Sequence, residues 1–389
     1  MLITDPEARA TNFPAPGVYV CEGVYRLPTV ATRTEEAGVL EAIRAGDASA
    51  FAIMAERYRR QLHVHCYRML GSVEDAEDLV QETLLRAWRG RASFEGRSLF
   101  RTWLYRIATN ACLNMLERTP RRVLPQDVAP PVTTSSDWSN PPSEPPNDME
   151  IPWLQPYPDH LLELAAPPEA EPDAAVTSRE TIELVYLAAL QHLSPRQRAV
   201  LILRDVLAWS AKETAALLDT TAHSVNSMLR RARETMTARL PAARHEWAPA
   251  TEPTEEERAL LRRFMDAWQR ADADAVVALL RDDARWAMPP APLWFDGREA
   301  IAKLFATFPI AWQGDIRMVT TAANRQPAAA TYLRRHGESV YRLVALIVLR
   351  VESGQITQMT TFSGHLLRGL GLAPILERDE FLSGSGLNS

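Results

Sequence analysis

The sequence predicts a multidomain fold: two all-α helical blocks, the second carrying a helix–turn–helix, followed by an α+β cone. Three observations predict it. Apolar residues recur at helical spacing through 51–118 and again through 180–240. Between them, residues 119–180 hold fourteen of the chain's 28 prolines, and proline excludes helix and sheet over most of that length. From Thr254 onward helices are followed by strand-like runs, the order of an α+β unit.

Each element has a local cause. Pro6, Pro14, Pro16 and Pro28 make residues 1–36 an irregular extension. Phe51, Met54, Tyr58, Leu62 and Met69 form a helical stripe, and Gly71 marks the turn after it. The next helix, 75–89, is amphipathic: Ala76, Leu79, Val80, Thr83, Leu84, Ala87 and Trp88 share one stripe, with Asp75, Asp78 and Glu82 beside it. A loop at 90–97 precedes a third helix over 98–118, whose expected core stripe is Phe100, Leu104, Ile107, Ala108 and Ala111. The proline-rich linker, 119–179, contains an aromatic island, Trp153 to Asp159 (WLQPYPD), which reads equally as a docking motif or as a patch folding back on its own chain.

The second block, 180–245, predicts helices over 180–192, 195–206, 210–218 and 221–240. Thr221 stands where an N-cap belongs, Val225, Met228, Leu229 and Ala232 form its apolar stripe, and Pro241 closes it. In such a helix the leading residues reach base edges while arginines further along hold phosphates. The last unit, 253–365, predicts helices at 255–269, 274–280 and 298–305. Strands follow, the final two (340–351 and 355–362) joined by the hairpin signal Ser353-Gly354. A curled antiparallel sheet enclosing a pocket is the expected form, with 366–389 left as a C-terminal tail.

Composition narrows the function. The net charge of −6 over 389 residues excludes a nucleic-acid-coating protein, so DNA affinity must come from local basic patches. Cys21, Cys66 and Cys112 are too scattered for a metal motif; the expectation is buried thiols at Cys66 and Cys112 in a reducing, cytoplasmic protein without metal or cofactor. There is no signal-like N-terminal segment, and the longest apolar run, Leu343 to Val351, reads as a buried strand rather than a membrane span.

Three motifs together resemble the extracytoplasmic-function (ECF) sigma factors of the sigma-70 family: DAEDLVQET at 75–83 with Ala87-Trp88, FEGRSLFRTWLYRIATN at 94–110, and Leu193 to Arg233. The order of elements over about 253–365 resembles the SnoaL-like branch of the nuclear-transport-factor-like cone, and the WLQPYPD motif resembles that of sigma factors carrying such a tail. The resemblance implies that 37–118 is a region 2 domain for core polymerase and the −10 element, and 180–245 a region 4 domain for the −35 element. It also implies that core RNA polymerase and promoter DNA are the partners, with a separate anti-sigma protein and a small-molecule ligand of the tail as further candidates. Asp219 stands where many relatives have the turn glycine, a substitution that a left-handed Asp can tolerate. Asn226 and Met228 replace frequent Lys and Arg, which weakens phosphate binding and leaves Asn226 free for an adenine edge.

Within that frame the candidate residues follow. Asp75, Asp78, Leu79, Gln81 and Glu82 lie on the helix implied to grip polymerase. Phe94, Arg97, Ser98, Arg101, Trp103, Arg106 and Asn110 are candidates for the −10 strand, because extruded bases need aromatic surfaces and cations. Thr221, Ser224, Asn226, Ser227, Arg230, Arg231 and Arg233 are candidates for the −35 element. In the tail, Trp286, Trp312, Tyr332 and His336 are candidate pocket walls. No spacing joins Asp296, Asp315 and His336 into an acid/base pair, so catalysis is not expected of the tail. The leading expectation is a transcription initiation factor whose tail regulates it in cis; the alternative is a ligand-sensing helix–turn–helix regulator that acts without polymerase.

Overall fold

The computed structural model describes residues 33–94, 99–133, 151–163, 182–240, 253–307 and 314–377. The first block is four helices: α1 (Arg33–Ala45), α2 (Ala48–Leu70), α3 (Val73–Gly90) and α4 (Phe100–Leu116). The Asp47 carboxylate accepts from the Ser49 and Ala50 amides to start α2, and the Ser72 hydroxyl caps α3 at Asp75. The α3 stripe is buried as its spacing demands except at Trp88, which is half-buried; in α4, Phe100, Leu104, Ala108 and Ala111 are buried and Ile107 is half-buried.

The linker is not a spacer over its described parts. Val123 and Trp153 form a parallel bridge, Pro158 bridges Ala323 of the tail, and 159–163 form a short helix, α5 (Asp159–Glu163). Trp153, Leu154 and Tyr157 are buried, so the aromatic island folds back on its own chain. Gly71 shows how closely: it ends α2 at φ 71°, and a Cβ there would lie 2.7 Å from Leu154 Cδ1.

The second block contains α6 (Leu184–Gln191), α7 (Pro195–Leu201) continued by a π turn (Ile202–Val206), α8 (Ala211–Leu217) and α9 (Ala222–Arg239). Ser194 with Gln197, and Ser210 with Glu213, make reciprocal capping boxes that fix the starts of α7 and α8. Asp219 takes the left-handed conformation at φ 55°, so the turn between α8 and α9 forms without glycine.

The third unit comprises α10 (Glu255–Gln269), α11 (Ala273–Ala278), β1 (Leu280–Ala287), β2 (Trp294–Asp296), α12 (Arg298–Thr307), β3 (Asp315–Ala323), β4 (Gln326–Arg334), β5 (Tyr341–Glu352), β6 (Gln355–Ser363) and β7 (Ile375–Leu376). The sheet runs β2-β1-β6-β5-β4-β3, with β7 pairing β5. Two expectations need correcting. The β1–β6 pairing is parallel, because the chain crosses the whole sheet before returning beside β1. The segment expected as a C-terminal tail outside the domain supplies β7, whose Ile375 and Leu376 pair with Arg342 and Tyr341.

The sheet is covered on both faces. Ile347, Leu349, Met359 and Ala329 pack with Leu260, Phe264, Trp268, Ile301 and Phe305 of the tail's own helices. Their neighbours Leu346, Val348, Phe362 and Ala328 belong to a core continuous with both helical blocks and the linker motif. This explains why 343–349 reads as an unbroken apolar run: a strand buried on both faces has no alternation to show.

Candidate functional site

The acidic helix presents part of what its sequence suggested. Asp78 and Gln81 are exposed and Glu82 is half-buried, on one face of α3. Leu85, 45% exposed and one turn beyond Gln81 and Glu82, extends that face; it went unnoticed because it reads as one more apolar residue of an amphipathic helix. Two candidates are corrected. Leu79 is a core residue at 6% exposure, and Asp75 is engaged by Arg122 of the linker at 2.5 Å.

Correction is also needed for the aromatic candidates at the start of α4. Phe94 is buried, stacked against Trp103 at 4.9 Å and edge-on to Phe100 at 5.8 Å. Aromatic residues spaced for stacking on bases satisfy each other first, because burying them together removes more apolar surface from water. Trp103 is half-buried in that cluster, Arg101 lies over the Tyr105 ring at 5.5 Å, and Arg106 and Asn110 are exposed one turn apart. Arg97 and Ser98 lie outside the described residues.

On α9, Val225, Leu229, Ala232 and Met236 are buried. Thr221 caps the helix through Ser224 N at 3.1 Å, so its hydroxyl is used structurally. Arg230 pairs with Glu234 at 3.0 Å, and Arg233 makes a two-pronged contact to Asp205 at 2.9 and 2.6 Å. Arg233 thus also braces the π turn against α9, while its side chain stays largely exposed. Arg231 is exposed, and among the described residues its side chain hydrogen-bonds only the Ser227 carbonyl, at 3.4 Å. Arg204, Asn226, Arg230, Arg233 and Thr237 line one open groove along the helix.

The two helical blocks touch. Arg198 of α7 is 2% exposed; its guanidinium caps the end of α2 at the Met69 carbonyl and meets Gln191 Oε1 at 2.8 Å, and burial pushes its pKa down to about 10. Tyr105 of α4 meets Trp209 at 5.7 Å, and one cleft is lined both by Asn110 and Asn114 of α4 and by Ser194 to Arg196.

The linker motif and the β3–β4 turn lock this arrangement. Gln155 Oε1 accepts from Val73 N at 2.8 Å and Ser72 Oγ at 3.1 Å, and the Gln155 backbone N–H donates to Gly71 O at 3.0 Å. Tyr157 and His63 share a 2.6 Å hydrogen bond. Asn324, at φ 57° and 0% exposure, is the centre: Nδ2 donates to Tyr67 Oη at 3.0 Å and Ile182 O at 2.8 Å, and Oδ1 accepts from Tyr157 N at 2.8 Å. One side chain thus joins first block, linker, second block and tail. Gln326 Oε1 accepts from Leu184 N at 3.0 Å, and Arg350 faces Glu183 at 3.9 Å.

The expected pocket in the tail is corrected as well. Trp286 faces the tail's helices, where Trp268 and Phe305 lie 5.7 and 5.5 Å from it, and its Nε1 donates to Thr361 at 2.8 Å. Tyr332 lies on the opposite face, packed with Tyr341 and Leu376, and His336 is exposed in a loop. These three line no common cavity; Trp312 lies outside the described residues. Asp315 is held by Tyr341 at 2.6 Å and Arg334 at 2.8 Å; against burial that would raise it, these bonds keep its pKa below the usual value. No group of three or more His, Cys, Asp or Glu poised for a metal occurs among the described residues.

A helical block with an exposed acidic face, a helix–turn–helix block and a cone domain define a multidomain transcription initiation factor of the sigma type. Family models agree: Sigma-70 region 2 matches residues 54–122, Sigma-70 region 4 matches 183–236, and a SnoaL-like domain matches 261–359. The chain is 42% identical over 347 residues to the ECF RNA polymerase sigma factor SigG of Mycobacterium tuberculosis, covering 89% of each. It is 28% identical to the RNA polymerase sigma-H factor of Pseudomonas aeruginosa over 203 residues, 52% of this chain and 92% of that one. The crystal structure of the M. tuberculosis sigma factor SigJ shares the fold at TM-score 0.50 and 20% identity, covering 80% of this chain and 95% of that one.

The chain belongs to the ECF RNA polymerase sigma factors, which bind core RNA polymerase and direct it to particular promoters. That activity involves no bond-making by the sigma factor itself. No helix among the described residues is long and apolar enough to cross a membrane.

Proposed function

We propose that α3 docks on polymerase through Asp78, Gln81, Glu82 and Leu85, that Arg106 and Asn110 of α4 meet the −10 element, and that the outward face of α9 meets the −35 element. The tail then acts in cis as a restraint, not as an enzyme. The carrying observation is the Asn324 junction. The two elements lie about 25 base pairs apart, roughly 85 Å at 3.4 Å per base pair, while the two reading blocks are in van der Waals contact beneath the tail. Asn110 also shares its cleft with the start of α7. The acidic face of α3 stays open, so the locked form can meet polymerase before it can read both elements.

The test is promoter-specific transcription with purified core polymerase, comparing the full chain with residues 1–250. Polymerase-dependent transcripts from both, with more from the truncation, are the expected result. Equal output across promoters would remove the restraint; no transcript from either, with DNA binding retained, would favour a polymerase-independent regulator.

A further inference from the structure

The outward face of α9 divides into two kinds of surface. At 100° per residue, His223, Ser227, Arg230 and Glu234 point away from the buried stripe of Val225, Leu229, Ala232 and Met236, with Asn226 beside them. The third and fourth turns are already committed: Arg230 to Glu234, Arg233 to Asp205. Glu234 also places a negative charge on this face, which opposes entry of the later turns between phosphates. In the first two turns the situation reverses. His223 and Asn226 are exposed, and neither makes a side-chain hydrogen bond or ion pair with any described residue. Their hydrogen-bonding capacity is concentrated at the tip of the helix, the part of a recognition helix that reaches base edges.

We infer that His223 is a specificity-determining residue for the −35 element, its imidazole N–H donating to a purine N7 or guanine O6 in the major groove, one helical turn ahead of Asn226. The inference rests on the proposed −35 role of α9. An imidazole in the first turn presents a directed donor with little flexibility, so it discriminates between base pairs. Arg231, exposed on the flank of the same helix, contributes sequence-independent phosphate affinity.

The experiment uses the full chain with core polymerase and a promoter library randomised across the upstream region, with transcripts sequenced. His223→Ala is expected to lose discrimination at one −35 base pair by roughly 5- to 150-fold, the range of a good base-edge contact, while the salt dependence of promoter binding is unchanged. Arg231→Ala is expected to weaken all promoters alike and to flatten the salt dependence by about one phosphate. Unchanged base preference in His223→Ala, or a uniform loss, overturns the inference. If Asn226→Ala and Arg230→Ala also leave every −35 preference intact, the −35 role of α9 fails too; if they change it while His223→Ala does not, only the role of His223 falls.

Discussion

The two faces of the tail's sheet are both buried, yet they are built differently. The inner face closes on the tail's own helices with large rings, Trp268, Trp286, Phe295 and Phe305, and apolar strand residues. The outer face closes on the rest of the chain with apolar residues as well, Leu346, Val348, Phe362, Ala323 and Ala328, but at its β3–β4 end it adds buried amides, Asn324 and Gln326, that reach across to other segments. An apolar face stabilises through area and tolerates any complementary surface; a buried amide gains only when its particular partners are present and costs free energy when they are not. The inner face therefore makes a domain, and the outer face makes a releasable joint.

Breaking the inner face should have the largest effect. Trp286→Ala removes a buried ring and its bond to Thr361, and is expected to cost about 3–5 kcal/mol of tail stability; thermal unfolding should show an early tail transition with the helical blocks still folded. A single undivided loss would mean that the two faces are not separable.

Asn324→Ala attacks the outer face alone. It strands the Tyr157 amide and the Ile182 carbonyl, at about 1–3 kcal/mol for each group left unsatisfied. The tail should stay folded while limited proteolysis of the joint accelerates and transcription from a two-element promoter rises. Asn324→Gly, which keeps the left-handed backbone but not the amide, should behave the same way; a fully docked variant would show that apolar contact suffices.

Acid should loosen the first block beneath this joint. Burial lowers the pKa of His63, which bonds Tyr157, and pushes His65 down to about 3, with Arg68 adding to the effect. Both histidines are thus neutral in the folded state, and their stabilisation is present above about 6.5, the unfolded value. It is lost as pH falls through the folded values, because the unfolded chain binds the protons first. The urea midpoint should fall steadily from pH 7 to pH 4; a flat profile would show that these histidines are not held neutral.

The smallest effect is expected at a surface the joint leaves open. Asp78→Lys should slow polymerase association several-fold, more at low salt, without altering tail docking. Equal association rates would move the docking face away from α3.

Much of this was legible in the sequence, for identifiable reasons. The cap at Thr221 and most of the helical stripes are decided within a few residues and appear where their spacing puts them, and Ser72, Ser194, Ser210 and Thr254 cap their helices by the same local chemistry. Which aromatic residues would face solvent was not legible: Phe94 and Trp103 have the spacing of a base-stacking platform, but pack into a cluster assembled from three helices. Trp286 and Tyr332 likewise sit on opposite faces because a one-residue change of strand position flips the side chain. The WLQPYPD motif left docking and folding back equally open in sequence and gave no sign of its partners, which lie up to 167 residues away. Sequence alone determined the family, the helices and their exposed charges, since these follow from local periodicity and composition. Only the tertiary structure decided which charges are already paired, which rings are spent in the core, and that Asn324 joins three distant segments, since each depends on what long-range folding brings within 3 Å.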